Sequence, residues 1–237
     1  MNIQIIPNQV FTRLFYIILL LLFANIIGIA TKLNFGHETF RMLVLLFDFD
    51  TEVNIPTLYS SFALVIASIL LLIIALNSKK TANQHYWFGL ALIFTFLSID
   101  EIASVHERIS EPMRELLNTS GYLYYAWIIP YSIALVGFIA IYSKFLFTLP
   151  RTTMIRFVIS GVIYVSGAIG FEILGGRQAE LYGEVNLRFC IYYTCEEFLE
   201  MFGIAIFIHA LLSYMASELK LLTISINEEQ KLKSSST

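Results

Sequence analysis

The sequence predicts an all-α membrane protein, a polytopic bundle of six transmembrane helices with one short interfacial helix. Three observations support this prediction. The 237-residue chain is 57% hydrophobic and only 14% charged, whereas soluble domains carry roughly a quarter charged residues. Its mean hydropathy is +0.73, and a soluble chain of this length could not bury that much apolar surface. Six segments approach or exceed the ~20 apolar residues that a spanning helix needs.

The six segments follow one another without a low-complexity linker, which indicates one helical domain. They are Phe11–Ala30, Leu58–Leu76, Tyr86–Val105, Tyr122–Phe147, Phe157–Leu174 and Phe189–Met215. Pro56 and Thr57 are typical of a helix start and precede the second segment. Pro130 is expected to kink the fourth helix. Gly175 and Gly176 are expected to end the fifth helix with a turn.

The connections are predicted as follows. His37–Phe47 is expected to form the interfacial helix. The pattern Asp48-x-Asp50-x-Glu52-x-Asn54 resembles the start of a calcium loop but lacks its glycine and its last acid, so we interpret it as a solvated acidic loop. The transmembrane domain is expected to span residues 1–217, with a polar, partly disordered cytoplasmic tail at 218–237. An interfacial aromatic belt is predicted from Tyr122, Tyr124, Tyr125 and Trp127.

The distribution of basic residues predicts the orientation. With both termini in the cytoplasm, nine basic residues lie inside and six lie outside, which agrees with the positive-inside rule. The inside set is Arg13, Lys79, Lys80, Lys144, Arg151, Arg156, Lys220, Lys231 and Lys233. In this orientation the acids inside are Glu218, Glu228 and Glu229, and the other fifteen lie on the outer side or in the outer half of the membrane.

Acidic residues at a common depth are the most informative feature. Asp100 lies fourteen residues along the third span, and Glu172 lies fifteen residues along the fifth. Glu200 lies fifteen residues from the far end of the sixth. At ~1.5 Å per residue these positions correspond to roughly 21–23 Å, within a hydrocarbon layer ~30 Å thick. Three helices are therefore expected to bring a carboxylate to one level inside the outer leaflet.

Further polar residues flank this level. On the third helix, Asp100, Ser104 and Glu107 are expected to share a face, with His106 beside it. Intramembrane charges are costly and usually face a bundle interior, so we expect a carboxylate cluster whose charge Arg177 and Arg188 modulate. The predicted ligand-binding set is Asp100, Glu101, His106, Glu107, Glu172, Arg177, Arg188, Glu196, Glu197 and Glu200. The candidate metal ligands within it are Asp100, Glu172, Glu196 and Glu200.

Five segments also carry a resemblance. They are Asn54–Thr57, Ser98–Glu107, Tyr125–Pro130, Gly170–Arg177 and Glu196–Gly203. Together they resemble a family of uncharacterised bacterial multipass membrane proteins, and the resemblance covers the chain from the first loop to the sixth span. It implies a multipass topology in a bacterial inner membrane and carries no activity with it.

Function is predicted only as a class. The leading hypothesis is an outward-facing carboxylate-lined site that binds a cation, protons or a small polar or cationic ligand, as in a transporter or sensor. One alternative is a metal-dependent intramembrane enzyme acting on lipid, with a divalent metal as cofactor. Another is a structural subunit whose Glu–Arg pairs fasten helices together. Membrane lipid is an expected partner, whereas the chain has no basic patch that would indicate nucleic acid.

Overall fold

The computed structural model describes residues 2–35, 41–78, 83–220 and 223–225. Nine α-helices are found in this part of the chain: α1 (Pro7–Phe35), α2 (Arg41–Phe47), α3 (Ile55–Asn77), α4 (Gln84–Ala103), α5 (Val105–Leu117), α6 (Ile128–Leu146), α7 (Arg151–Val165), α8 (Glu172–Tyr182) and α9 (Leu187–Tyr214). Shorter turns are a 3₁₀ turn at Gly121–Leu123 and π-helical segments at Ser166–Phe171 and Met215–Leu219. Strand β1 (Asn2–Gln4) pairs antiparallel with β2 (Thr223–Ser225).

The prediction of an all-α bundle is confirmed. Six helices in the described ranges are long and apolar enough to cross a membrane, with α7, the π segment and α8 forming one continuous helix. Apolar side chains cover much of the outer surface, as Leu20 (63% exposed) and Ile133 (69% exposed) illustrate. Lipid is the solvent that makes such a surface stable, so the chain is a membrane protein.

Two predicted helix boundaries are wrong. The fourth span begins at Ile128, so Pro130 lies in the first helical turn and does not kink the helix. A proline is tolerated there because the first four N–H groups of a helix have no intrahelical acceptor. The fifth span continues past Gly175 and Gly176 to Tyr182. At Gly176 a Cβ would lie 2.9 Å from a ring carbon of Tyr125, so this glycine permits close packing and does not form a turn.

The connection between α1 and α3 contains helix α2 and ends in a buried N-cap residue, Asn54. Helix α2 corresponds to the predicted interfacial helix from Arg41 onward, and His37 lies outside the described residues. Helix α3 begins at Ile55, so Pro56 and Thr57 lie in its first turn and do not precede it, and its N-cap Asn54 accepts a hydrogen bond from the Thr57 amide. Most of the predicted tail, residues 226–237, also lies outside the described part, so the division at residue 217 stays a prediction.

Helix α9 is the most buried of the six described spans and packs against α1, α3, α7 and α8. Helices α3 and α4 form a hairpin joined by serine hydrogen bonds, including Ser61 to Ser98 at 2.9 Å. Such hydrogen bonds between small residues fasten helices together in a lipid environment. Helices α8 and α9 pack against each other, and their acidic residues interact electrostatically with Glu101 near the end of α4.

Candidate functional site

The helix is interrupted between α4 and α5 at Ser104, which has a left-handed backbone conformation with φ of 51°. The Asp100 carboxylate accepts a hydrogen bond of 2.9 Å from the His106 amide and so caps the start of α5. The prediction that Asp100, Ser104 and Glu107 share one face of a continuous third helix is therefore wrong. The Asp100 side chain competes with the backbone carbonyls of the helix for an amide hydrogen bond, which explains why the helix is interrupted.

His106 lies between two carboxylates. Its Nδ1 atom is 3.4 Å from Asp100 and its Nε2 atom is 3.5 Å from Glu52. The indole of Trp127 packs against the imidazole at a centroid distance of 4.9 Å. Burial alone would lower the pKa of His106, but the hydrogen bond and charge of Asp100 and the charge of Glu52 outweigh it and raise that pKa to about 10. The imidazole is thus held as a cation when no other cation competes for the carboxylates.

Glu52 reaches this position because its loop is anchored. Lys32 of α1 forms ion pairs with Asp48 at 3.1 Å and Asp50 at 3.2 Å, and the Asn54 side chain donates to the Asp48 carbonyl at 2.6 Å. The interpretation of this segment as a solvated acidic loop is wrong, because Asp48 is 2% exposed. Burial and the nearby charge of Glu107 raise the pKa of Glu52 to about 7.

The acids of α8 and α9 meet through close helix packing. A Cβ on Gly167 would lie 2.6 Å from the Glu196 carbonyl, so the π segment and α9 touch backbone to backbone there. The Glu172 carboxyl, which directly follows the π segment, lies close enough to that of Glu196 for the two groups to interact electrostatically. It also accepts a 2.8 Å hydrogen bond from the Trp127 indole. Such π segments often occur at functional sites.

Helix α4 contributes the remaining glutamate of this group, Glu101. Glu101 interacts electrostatically with Glu197 and with Glu200, and Glu200 also interacts with the Tyr164 hydroxyl. Asp100 is buried, and these glutamates are only partly exposed. Acids from α4, α8 and α9 therefore lie close enough to interact electrostatically.

Not every residue of the predicted set belongs to this group. Glu107 is exposed at the rim, where its charge acts on Glu52. Arg177 is exposed; it donates to the Tyr122 hydroxyl and lies 4.4 Å from the ring centre. Arg188 is exposed as well. Within the described ranges, Asp100 and Glu52 form ion pairs with His106 and not with an arginine.

Sequence reasoning missed four contributing side chains. Trp127 was assigned to the aromatic belt but is buried and bonded to Glu172. Glu52 was assigned to a solvated loop, although the alternating acids of that loop were a signal, and Lys32 was not singled out. Tyr164 lay in an apolar run with nothing to distinguish it.

Metal-ligating geometry arises at the rim of the site. In the part of the chain that the structure describes, ligand atoms of Glu52, His106 and Glu107 lie within 4.8 Å of one another. The set predicted from sequence as metal ligands does not form such a group among the described residues. Its members are Asp100, Glu172, Glu196 and Glu200.

The six long apolar helices define an all-α membrane protein. The model of the family described as Domain of unknown function (DUF8692) matches residues 13–215, and the chain belongs to this family. The comparisons with curated proteins and with solved structures gave no match.

Proposed function

We propose that the protein binds a cation at an outward-facing, carboxylate-lined site within the membrane, in a transporter- or sensor-like role. One observation carries this proposal: five glutamates from three spans interact as one group, with His106 as the basic partner at its edge. The five are Glu101, Glu172, Glu196, Glu197 and Glu200.

The electrostatic argument is direct. Removing an ionised carboxylate from water costs several kcal/mol per group even after relaxation, and like charges on neighbouring carboxylates add to this cost. Protons or a bound cation must therefore neutralise the group. A proton shared by the neighbouring carboxyls of Glu172 and Glu196 would supply part of this neutralisation, and a cation could replace that proton.

Partial exposure of the glutamates supports access for a small ion. In the proposed orientation, the cytoplasmic acids are confined to Glu218 and the polar tail. A continuous acidic path through the membrane is therefore not part of the proposal, and a binding or sensing role fits the arrangement better.

Cation binding can be tested on the purified protein in detergent, by thermal unfolding and calorimetric titration with Ca²⁺, Mg²⁺, Mn²⁺ and Na⁺. A cation that binds only the folded state raises the stability by about 2.7 kcal/mol at a hundredfold excess over its Kd. Glu197→Gln and Glu200→Gln should weaken binding, whereas Glu218→Gln, at the other end of the bundle, should not. Equal responses from all three variants, or no response of the wild type to any cation, would contradict the proposal.

We also propose that the protein lies in a bacterial inner membrane, as the resemblance implies, with both termini in the cytoplasm, as the distribution of basic residues predicts. The test uses a background in which Cys190 and Cys195 are alanine. A membrane-impermeant maleimide should label Ser120→Cys in intact cells and Thr152→Cys only after permeabilisation. Both positions are exposed and lie at opposite ends of the bundle. The reverse labelling pattern would overturn the orientation.

A further inference from the structure

A mixed donor set lies where the loop after α2 meets the first turn of α5. Glu52 supplies a carboxylate from the loop, and His106 and Glu107 supply an imidazole and a second carboxylate from the helix. Their ligand atoms lie within 4.8 Å of one another. Metal–ligand bonds of 2.0–2.2 Å place neighbouring ligands about 3 Å apart, so small side-chain rotations would close this set around an ion.

The orientation of His106 is that of a metal ligand with an outer partner. Its Nδ1 atom faces Asp100, whose carboxylate is fixed by the hydrogen bond that it accepts from the His106 backbone amide at the start of α5. Its Nε2 atom faces Glu52. Histidines that bind metals usually donate the other ring N–H to a carboxylate, which fixes the ring and makes it a better ligand. Asp100 occupies that position here.

Glu52 provides an independent observation. Its Oε2 atom is buried and has no hydrogen-bond partner within the described residues, although buried side-chain polar atoms usually have one. The other oxygen, Oε1, faces the imidazole. A cation held between Glu52, His106 and Glu107 would satisfy this oxygen.

We propose that Glu52, His106 and Glu107 bind a divalent transition-metal ion, with Asp100 orienting the histidine. One imidazole and two carboxylates form a donor set that suits borderline ions such as Mn²⁺, Fe²⁺, Co²⁺ or Zn²⁺ more than Ca²⁺ or Mg²⁺, which prefer oxygen alone. The inference rests on the proposed function, since it names the class of cation and places it at the rim of the same carboxylate group. Glu172 of α8 and Glu197 of α9 interact electrostatically with His106 of this set.

Co²⁺ is the probe of choice because its visible absorption spectrum reports a nitrogen ligand. The chelator-treated, full-length protein in detergent should bind one equivalent of Co²⁺. Glu52→Gln and Glu107→Gln should weaken binding at least a hundredfold. Asp100→Asn should weaken it 10- to 100-fold, as outer-shell changes do. Glu115→Gln is the matched control, because Glu115 is exposed on the same helix; it should leave Co²⁺ binding unchanged.

Glu107 is exposed, so Glu107→Gln should fold normally even if Glu52→Gln does not, and circular dichroism and gel filtration check both. Absence of Co²⁺ binding by the wild type, or unchanged binding by Glu107→Gln, would overturn the inference. Loss of binding in Glu200→Gln but not in Glu107→Gln would overturn it while leaving the proposed function intact. Loss in the rim variants with no effect of Glu197→Gln or Glu200→Gln on any cation would support the metal site and refute the role of the inner glutamates.

Discussion

At the end of the bundle where β1 pairs with β2, Trp87 is 1% exposed and its ring packs against Phe145 and Tyr214 at centroid distances of 5.0 and 5.1 Å. At the opposite end, the side chains that face one another from α4, α8 and α9 are carboxylates. We call these the aromatic end and the acidic end. Packing holds the helices together at the aromatic end, whereas the acidic group adds repulsion that other contacts must offset.

The comparison distinguishes residues that stabilise the fold from residues, such as the glutamates, whose presence is not explained by stability. A core of rings and aliphatic side chains provides dispersion contacts without desolvating a charge. Interacting glutamates give no such benefit unless protons or a cation neutralise them. The ion pairs of Lys32 are an exception at the acidic end, because each charge there has an opposite partner.

The largest expected effect is at the aromatic end. Trp87→Ala should lower the free energy of unfolding by about 3–5 kcal/mol, because it removes a fully buried ring and leaves a cavity. Thermal and denaturant unfolding in detergent measure this. Phe96→Ala, at a position that is half exposed, is the comparison and should cost much less. Equal losses would mean that the aromatic end does not have the stabilising role described.

Lys32→Met should lower the stability by about 3 kcal/mol, because it leaves Asp48 and Asp50 without their cation. The loop that presents Glu52 should loosen as well, which increased proteolysis after residue 50 would report. Lys144→Met, at an exposed position, controls for the loss of one charge. If both lysine variants unfold alike, the anchoring of the loop by Lys32 is wrong.

Gly167→Ala tests the helix contact beneath the acids. The new Cβ would lie 2.6 Å from the Glu196 carbonyl, and relief of this clash should cost about 1–3 kcal/mol. Gly161→Ala on the same helix meets no atom within 4 Å and should be neutral or slightly stabilising. A neutral Gly167→Ala, measured by thermal unfolding, would show that α9 is not in close contact there.

The smallest effect is expected for Glu197→Gln in the absence of divalent cations. Stability should stay constant or rise by less than about 1 kcal/mol, because the substitution removes one of several like charges. Asp48→Asn changes a carboxylate in the same way but at a position paired with Lys32, and it should lower stability. A large loss for Glu197→Gln would indicate that the glutamates themselves hold the helices together.

Much of the fold could be predicted because hydrophobic length is a local property. Each apolar run is long enough to span a bilayer whatever its neighbours are, so the six helices followed from the chain alone. The start of α3 was equally local, since the cap of Asn54 and the proline after it act within one turn. The break at Ser104 was missed because it depends on the Asp100 side chain bonding forward to the His106 amide.

The acids illustrate the same division. Periodicity and depth identified Asp100, Glu172 and Glu200 as related, but not their partners. Lys32 lies sixteen residues before Asp48, and Trp127 lies forty-five residues before Glu172. No pattern within one helix encodes such pairings, which is why an aromatic belt and a solvated loop were predicted in their place.

The amino-acid sequence by itself determined that the chain is an α-helical membrane protein with acidic residues concentrated toward one end, because hydropathy and helical rise act along the chain. Only the tertiary structure decided which acids face one another, that the loop after α2 folds inward, and that His106 lies between Asp100 and Glu52. Those outcomes depend on how helices pack and which buried charges find partners, and both are settled between segments distant in sequence.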